Sequence, residues 1–305
     1  MPTETITQGN VTWINITNPQ PEDIQQLSQR YPSFHPLNLQ DCLTEREIPK
    51  LDHFDNYLFL VVQLPERDAV ENIYRPAEAD IFISKGTLVT SHRGNLQPLN
   101  DLFTQAKASE KARIQLMQHG ASPLLHRLLD ELVNACYPTL RQLLTELRHT
   151  ECTLFNDDVQ HLLTEIAMVR RDIIVLKHIL APQKDVIGEL EAGDWDFIHE
   201  DLDLYWGDIK DHLSQLVMML EESSEMISGL SETADTLASH RIDNVVRLLT
   251  VVTVLTLPLT LASTIFGMNI ELPFSRHPLL FYLILVSGLL VIIGLLLYFR
   301  KRRWF

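Results

Sequence analysis

The chain is short of cysteine, of glycine and of positive charge. Its 305 residues include three cysteines, Cys42, Cys136 and Cys152, with no CxxC and no paired spacing. That excludes a disulfide framework or a zinc ribbon and fits ordinary burial in a reducing compartment. The 11 glycines form no phosphate-cradling loop, and HExxH and nucleophile-elbow motifs are missing. No enzyme chemistry and no organic cofactor are therefore expected. Lys and Arg number 25 against 40 Asp and Glu, a formal charge of −15, which argues against nucleic-acid binding. An acidic balance suits a protein that concentrates cations, although acidic surfaces also serve solubility. The opening MPTETITQGN is polar and has no apolar stretch, so no cleaved signal is expected.

Long apolar runs, by contrast, are present. Residues 248–266 and 279–299 carry no charged side chain, and the second run stops at Arg300-Lys301-Arg302-Arg303. Each is long enough to cross a hydrocarbon core of ~30 Å as a helix. Arg241 and Arg247 precede the first run, so both basic flanks fall on the cytoplasmic side and the loop 270–278 outside. The expected location is the inner membrane, with both termini cytoplasmic. In the first run Thr253, Thr256, Thr260, Ser263, Thr264 and Gly267 recur at spacings of three and four, placing them on one side of a helix. The second is apolar apart from Ser287, Gly288 and Gly294. The contrast suggests an inner helix with a polar side and an outer helix facing lipid. On the residues alone, hydroxyls bonded to their own backbone or to a neighbouring helix are the favoured explanation of the stripe.

Ahead of the spans, residues 11–16 (VTWINI) alternate as a strand and Pro21–Arg30 reads as a short helix. Residues 57–64 (YLFLVVQL) form a nearly continuous apolar strand, suited to a sheet covered on both faces. Residues 80–84 and 87–91 flank a Lys85-Gly86 hairpin turn. From about Pro123 the chain turns helical, with a second helix over residues 159–180 stopped by Pro182 and a glycine-containing connection at 188–203. Ile209, Leu213, Leu216, Leu220, Ile227, Leu230, Ala234 and Leu237 then keep a four–three spacing, with no proline before Pro258. One helix over residues 208–266 would be roughly 90 Å long at 1.5 Å per residue. The fold class expected is an α+β membrane protein: a cytosolic α/β domain over residues 1–120, a helical stalk over 121–243, and a two-helix transmembrane part over 244–305. Two spans per chain leave no room for an aqueous path within a monomer, so a pore requires oligomerisation.

Gly267-Met268-Asn269, following Asn244-Val245, Leu249-Thr250, Pro258-Leu259-Thr260 and Phe266, resembles the signature of the CorA family of magnesium channels. The basic end, Arg303-Trp304-Phe305, fits the same pattern, as do Trp13-Ile14-Asn15-Ile16-Thr17, His35-Pro36-Leu37, Leu39, Asp41, Pro49-Lys50 and Asn56-Tyr57. The resemblance implies a homopentamer in the lipid bilayer, with the first spans inside and the second outside. It makes Gly267, Met268 and Asn269 the selectivity filter. Leu249 and Leu257 fall at the apolar constriction, Thr260 is a polar station, and Asp243 stands at the cytoplasmic entrance, where the family often has asparagine. Glu271 is the outer-mouth carboxylate; the usual second one is replaced by Leu272-Pro273-Phe274-Ser275-Arg276-His277. Asp41 and Asp208 match carboxylates that hold a regulatory divalent ion across a subunit interface, while Gln40 stands where some relatives carry another acid.

The physical case for the filter concerns hydration. Mg²⁺ dehydrates reluctantly and prefers octahedral oxygen ligands, so uncharged amide oxygens suit its water shell. A glycine and asparagine that merely cap a helix are the plain alternative. The resemblance implies potential-driven Mg²⁺ influx, with Co²⁺ or Ni²⁺ as further cargo, gated by cytosolic Mg²⁺. Met268 favours magnesium over a zinc transporter of the same architecture. A membrane-anchored cation sensor that conducts nothing is the rival of another class.

Overall fold

The computed structural model describes residues 3–44, 48–68, 70–154, 159–195, 198, 203–268 and 278–301. Two compact units divide the chain, Met1–Ser231 and Glu232–Phe305.

The first unit is built on the apolar run at residues 57–64. That run opens the strand β4 (Tyr57–Asp68), and all eight of its residues are buried. β4 lies in a six-stranded sheet with β1 (Thr3–Gln8), β2 (Val11–Thr17), β3 (Lys50–Phe54), β5 (Ile73–Ser84) and β6 (Thr87–His92), in the order β1-β2-β6-β5-β4-β3. The β2–β6 pair is parallel; the other pairs are antiparallel. Because side chains alternate along a strand, Tyr57, Phe59 and Val61 turn one way. They meet Ile24 and Leu27 of α1 (Pro21–Arg30), Phe34, and Leu39 of α2 (Pro36–Asp41). Val62 and Leu64 turn the other way, towards Leu129 and Leu132 of α5 (Ala121–Asn134) and Leu180 of α7 (Val159–Ala192). Helices cover both faces, which is why the strand is apolar throughout rather than alternating. At the β5–β6 hairpin Gly86 has φ +79°, and a Cβ there would stand 2.6 Å from the Asn10 carbonyl oxygen. Only glycine fits that turn.

Two features differ from the sequence expectation. Helix begins well before Pro123: α3 (Gln97–Ala108) and α4 (Glu110–Met117) precede α5. Leu99, Leu102, Phe103 and Ala106 give α3 its buried face, and Phe103 meets Trp13 edge-on at 4.9 Å between ring centroids. Nor does Pro182 stop α7, which runs through it to Ala192 and takes in Gly188. The buried face continues on both sides, with Ile179 and Leu180 before the proline and Val186, Ile187 and Leu190 after it. Burial of the three apolar side chains beyond the proline, each worth about 1.5–3 kcal/mol, outweighs the ~3 kcal/mol cost of an interior proline. The next residue ties the helix to the sheet. Gln183 donates from Nε2 to the Gln63 carbonyl at 2.6 Å and accepts at Oε1 from the Gln63 N–H at 3.3 Å. β3 begins only at Lys50, opposite Val61, so the Gln183 amide takes the place of a missing strand at Gln63.

Cys42 and Cys136 are buried and Cys152 is exposed; all three are free. Burial pushes the Cys136 thiol up to about 12. On β6, His92 is 2% exposed and accepts at Nδ1 from the Gly94 N–H at 3.0 Å, while its Nε2 finds no partner. Burial pulls this imidazole down to about 4. Below pH ~6.5 the unfolded chain takes up a proton that the fold refuses, so stability falls as the pH drops from 6.5 towards 4. The loss attributable to His92 is on the order of 3 kcal/mol at most. Melting curves of the full-length protein at pH 7.0 and 4.5 are expected to show a smaller acid shift for His92→Leu than for the wild type; equal shifts would remove His92 from the cause.

α6 (Cys136–Thr153) and α7 lead to α8 (Asp203–Phe266), a 64-residue helix. Ile209, Leu213, Leu216, Leu220, Ile227, Leu230 and Ala234 are buried along it, as the four–three spacing predicts, and Leu237 is half-buried. Lys210 pairs with Glu191 of α7 at 2.6 Å and Lys177 of α7 with Glu221 at 3.1 Å, so α7 and α8 run antiparallel in the first unit. In the second unit α8 is joined by α9 (Pro278–Lys301), which passes close enough for Leu259 to lie 3.9 Å from where a Gly288 Cβ would be.

Candidate functional site

The membrane part follows from the hydroxyl stripe. Thr253, Thr256, Thr260 and Thr264 each donate to the carbonyl four residues earlier, at 2.8–3.0 Å. The hydroxyls thus bond to their own helix, as the plainer reading of the stripe holds. That arrangement has a chemical consequence: each hydroxyl proton is used inward, and the oxygen lone pairs remain as acceptors for whatever faces the helix. These threonines are exposed, as is Asp243 at the start of the run. Leu249 is 66% and Leu257 59% exposed, and Val245, Val246, Leu248, Leu259 and Leu261 are exposed too. A helix with this many exposed apolar side chains and no charge over residues 248–266 belongs in lipid or against other copies, not in water. Among the described residues, α8 is long and apolar enough to cross a membrane.

At the end of α8 the Gly267 N–H still donates to the Ser263 carbonyl at 2.9 Å and the Met268 N–H reaches Ile265 at 3.4 Å. Gly267 does not have the positive φ of a left-handed helix terminator, so that form of the capping explanation does not apply to it. Met268 is exposed. Asn269 and Glu271 lie outside the described residues.

The two head carboxylates have separate partners within the chain. Asp41, the last residue of α2, accepts from Lys50 Nζ at 2.7 Å, with side chains 18% and 35% exposed respectively. Lys50 also stands 3.8 Å from Asp52 and over the Phe59 ring at 5.7 Å. Asp208 lies in the second turn of α8 with its side chain 65% exposed, 3.9 Å from His212 Nε2. Nearby, His126 of α5 packs edge-on against Tyr205 and Trp206, and its imidazole is pulled down, chiefly by burial, against the opposing pull of Asp130 and Asp208. Among the described residues no three His, Cys, Asp or Glu side chains are grouped to hold a metal. Among the described residues, neither aspartate belongs to such a group. The Lys50–Asp41 pair was not legible in the sequence, because a lysine nine residues from an aspartate carries no pairing signal until β3 returns beside α2.

Residues 8–301 match the family described as CorA-like Mg²⁺ transporter protein. YfjQ of Bacillus subtilis is 28% identical over 310 residues, covering 100% of this chain and 94% of that protein. The cobalt/magnesium transport protein CorA of Thermotoga maritima is 25% identical over 298 residues, covering 96% of this chain and 83% of its own. The complete structure of the CorA magnesium transporter from Methanocaldococcus jannaschii superimposes with a TM-score of 0.83 at 20% identity, covering 98% of this chain and 94% of that one. The α/β head, the long helix and the membrane-spanning end are thus one known arrangement, and the chain belongs to the CorA-like Mg²⁺ transporter family.

Proposed function

We propose that this chain forms a homopentameric channel of the inner membrane that passes Mg²⁺ into the cytoplasm, with Co²⁺ and Ni²⁺ as further cargo. The observation that carries the reading is the exposed stripe Thr253, Thr256, Thr260 and Thr264, whose oxygens are left as acceptors on a membrane-spanning helix that ends at Gly267-Met268. Acceptors without charge stabilise the water shell of a divalent ion without trapping it. The membrane potential supplies the drive, ~2.3 kcal/mol per charge per 100 mV and about double for a divalent ion.

In this reading residues 1–120 and 121–243 are head and stalk and 244–305 the pore. Leu249 and Leu257 form apolar rings that gate by dewetting, Asp243 rings the cytoplasmic entrance, and Gly267, Met268 and Asn269 select at the outer mouth below Glu271. Asp41 and Asp208 of neighbouring subunits hold a regulatory Mg²⁺, with Lys50 as a resident competitor for Asp41.

Divalent flux into proteoliposomes under an imposed potential tests the proposal. Mg²⁺ entry that follows the potential is expected. Zn²⁺ entry exceeding Mg²⁺ would assign the cargo to a zinc transporter, and no flux of any divalent ion from assembled protein would make the chain a sensor.

A further inference from the structure

The side of α8 that carries Leu249 and Leu257 also carries a hydroxyl midway between them. Leu249, Thr253 and Leu257 stand at i, i+4 and i+8, the spacing of one ridge on a helix surface, with about 6 Å of rise from each to the next. All three are exposed. The opposite side of the helix is shielded. Val251 is 2% exposed, and Val254, Leu255 and Pro258, at i+3, i+4 and i+7 from it, are half-buried on a helix that has α9 beside it in the second unit. At about 100° per residue Thr253 stands about 200° from Val251, so the ridge turns away from the shielded side.

Thr253 offers that exposed side an acceptor and not a donor. Its Oγ1 donates to the Leu249 carbonyl at 2.8 Å, which uses its one proton inside the helix and leaves the lone pairs outward. β-Branching leaves threonine few χ1 rotamers in a helix, so the bond to the carbonyl four residues earlier holds the oxygen in place. The consequence concerns water. Apolar rings close a pore by expelling it. With no polar group between them, rings at Leu249 and Leu257 would bound one dry segment of about 12 Å, eight residues at 1.5 Å each. A ring of fixed acceptors at Thr253 divides that length into two shorter pieces and gives bridging water a place between them. The waters that Mg²⁺ keeps around itself turn their hydrogens outward, and uncharged acceptors meet those hydrogens without trapping the ion.

On the channel reading above, we propose that Thr253 hydrates the constriction. One hydroxyl oxygen from each copy holds water between the Leu249 and Leu257 rings, and the hydrated ion passes through that water. Thr253 is thus a positioning residue for water and not a ligand of the bare ion. Mg²⁺ flux into proteoliposomes under an imposed potential tests this, with the oligomer of each variant checked by gel filtration. Thr253→Val keeps the shape of the side chain and removes its oxygen, and is expected to lower flux roughly tenfold or more. Thr253→Ser keeps the oxygen and is expected to conduct nearly as the wild type does, a rescue that a role in packing alone would not produce. Wild-type flux in assembled Thr253→Val, or a loss in Thr253→Ser as deep as in Thr253→Val, overturns the assignment. If Thr253→Val does not assemble, Thr253→Ser and Thr253→Ala decide, because they differ by one oxygen; equal flux in those two overturns it as well. A wild type that conducts no divalent ion removes the channel reading and Thr253's role with it, whereas a conducting wild type matched by Thr253→Val removes the role of Thr253 alone.

Discussion

Asn269→Ala is expected to abolish Mg²⁺ uptake by reconstituted protein while the oligomer stays assembled. The ion reaches the outer mouth with its waters attached, because Mg²⁺ gives them up reluctantly. Carboxamide oxygens accept hydrogen bonds from those waters and, being uncharged, release the ion again. A hydrogen bond to a charged group is worth about 1.5–3 kcal/mol, so one lost acceptor costs roughly tenfold to a hundredfold, and a ring of them more. The Gly267 N–H still makes the i→i−4 bond of α8 and the Met268 N–H a tighter i→i−3 bond, so the backbone up to Met268 is held by its own hydrogen bonds and not by the Asn269 side chain. Alanine removes the acceptor without removing the helix. Flux into liposomes, read beside gel filtration of the same preparation, checks both halves, and full uptake by an assembled mutant would falsify the filter assignment.

Two substitutions at the head are both expected to favour the closed channel, one without Mg²⁺ and one through it. Asp208→Lys places a fixed positive charge where the resemblance puts a shared divalent ion, so the channel is expected to stay closed without cytosolic Mg²⁺. Lys50→Met is expected to strengthen that site for Mg²⁺, so that the channel closes at a lower cytosolic concentration. Lys50 lies 2.7 Å from Asp41 and therefore competes with any cation that approaches it. Two unit charges about 4 Å apart interact by ~1 kcal/mol in water and ~4 kcal/mol near a protein surface. Removing the ammonium should lower the half-inhibiting Mg²⁺ concentration about tenfold, which corresponds to ~1.4 kcal/mol. A ligand shifts an equilibrium only through its preference for one state, so the two variants must move the curve in a linked way. Wild-type flux that ignores cytosolic Mg²⁺ across the millimolar range would reduce Asp41 and Asp208 to surface charge.

Much of the fold is legible where the signal is local. Pro21–Arg30 reads as a helix because Ile24 and Leu27 share a face behind an acidic first turn, and the structure has it there. The Lys85-Gly86 turn reads from its glycine, and β5 pairs with β6 across it. β1, α3 and α4 are weaker. Thr3–Gln8 holds one buried residue, so it becomes a strand by pairing with β2 rather than by its own pattern. α7 passes Pro182 for a comparable reason: packing of residues on both sides outweighs a local preference for stopping.

The site divides along the same line. Composition alone determined the membrane spans, since a charge-free run needs no distant partner to be apolar, and the contiguous Gly267-Met268-Asn269 carries its resemblance within three residues. The threonine stripe is likewise set by spacing, because a helix turns 3.6 residues at a time whatever surrounds it. Only the tertiary structure decided that Lys50 already occupies Asp41 and that Gln183 closes the backbone of Gln63 across a separation of 120 residues. Each of these depends on which distant side chain arrives within about 3 Å, a distance set by the packing of the whole sheet and its helices and written in no single stretch of the chain.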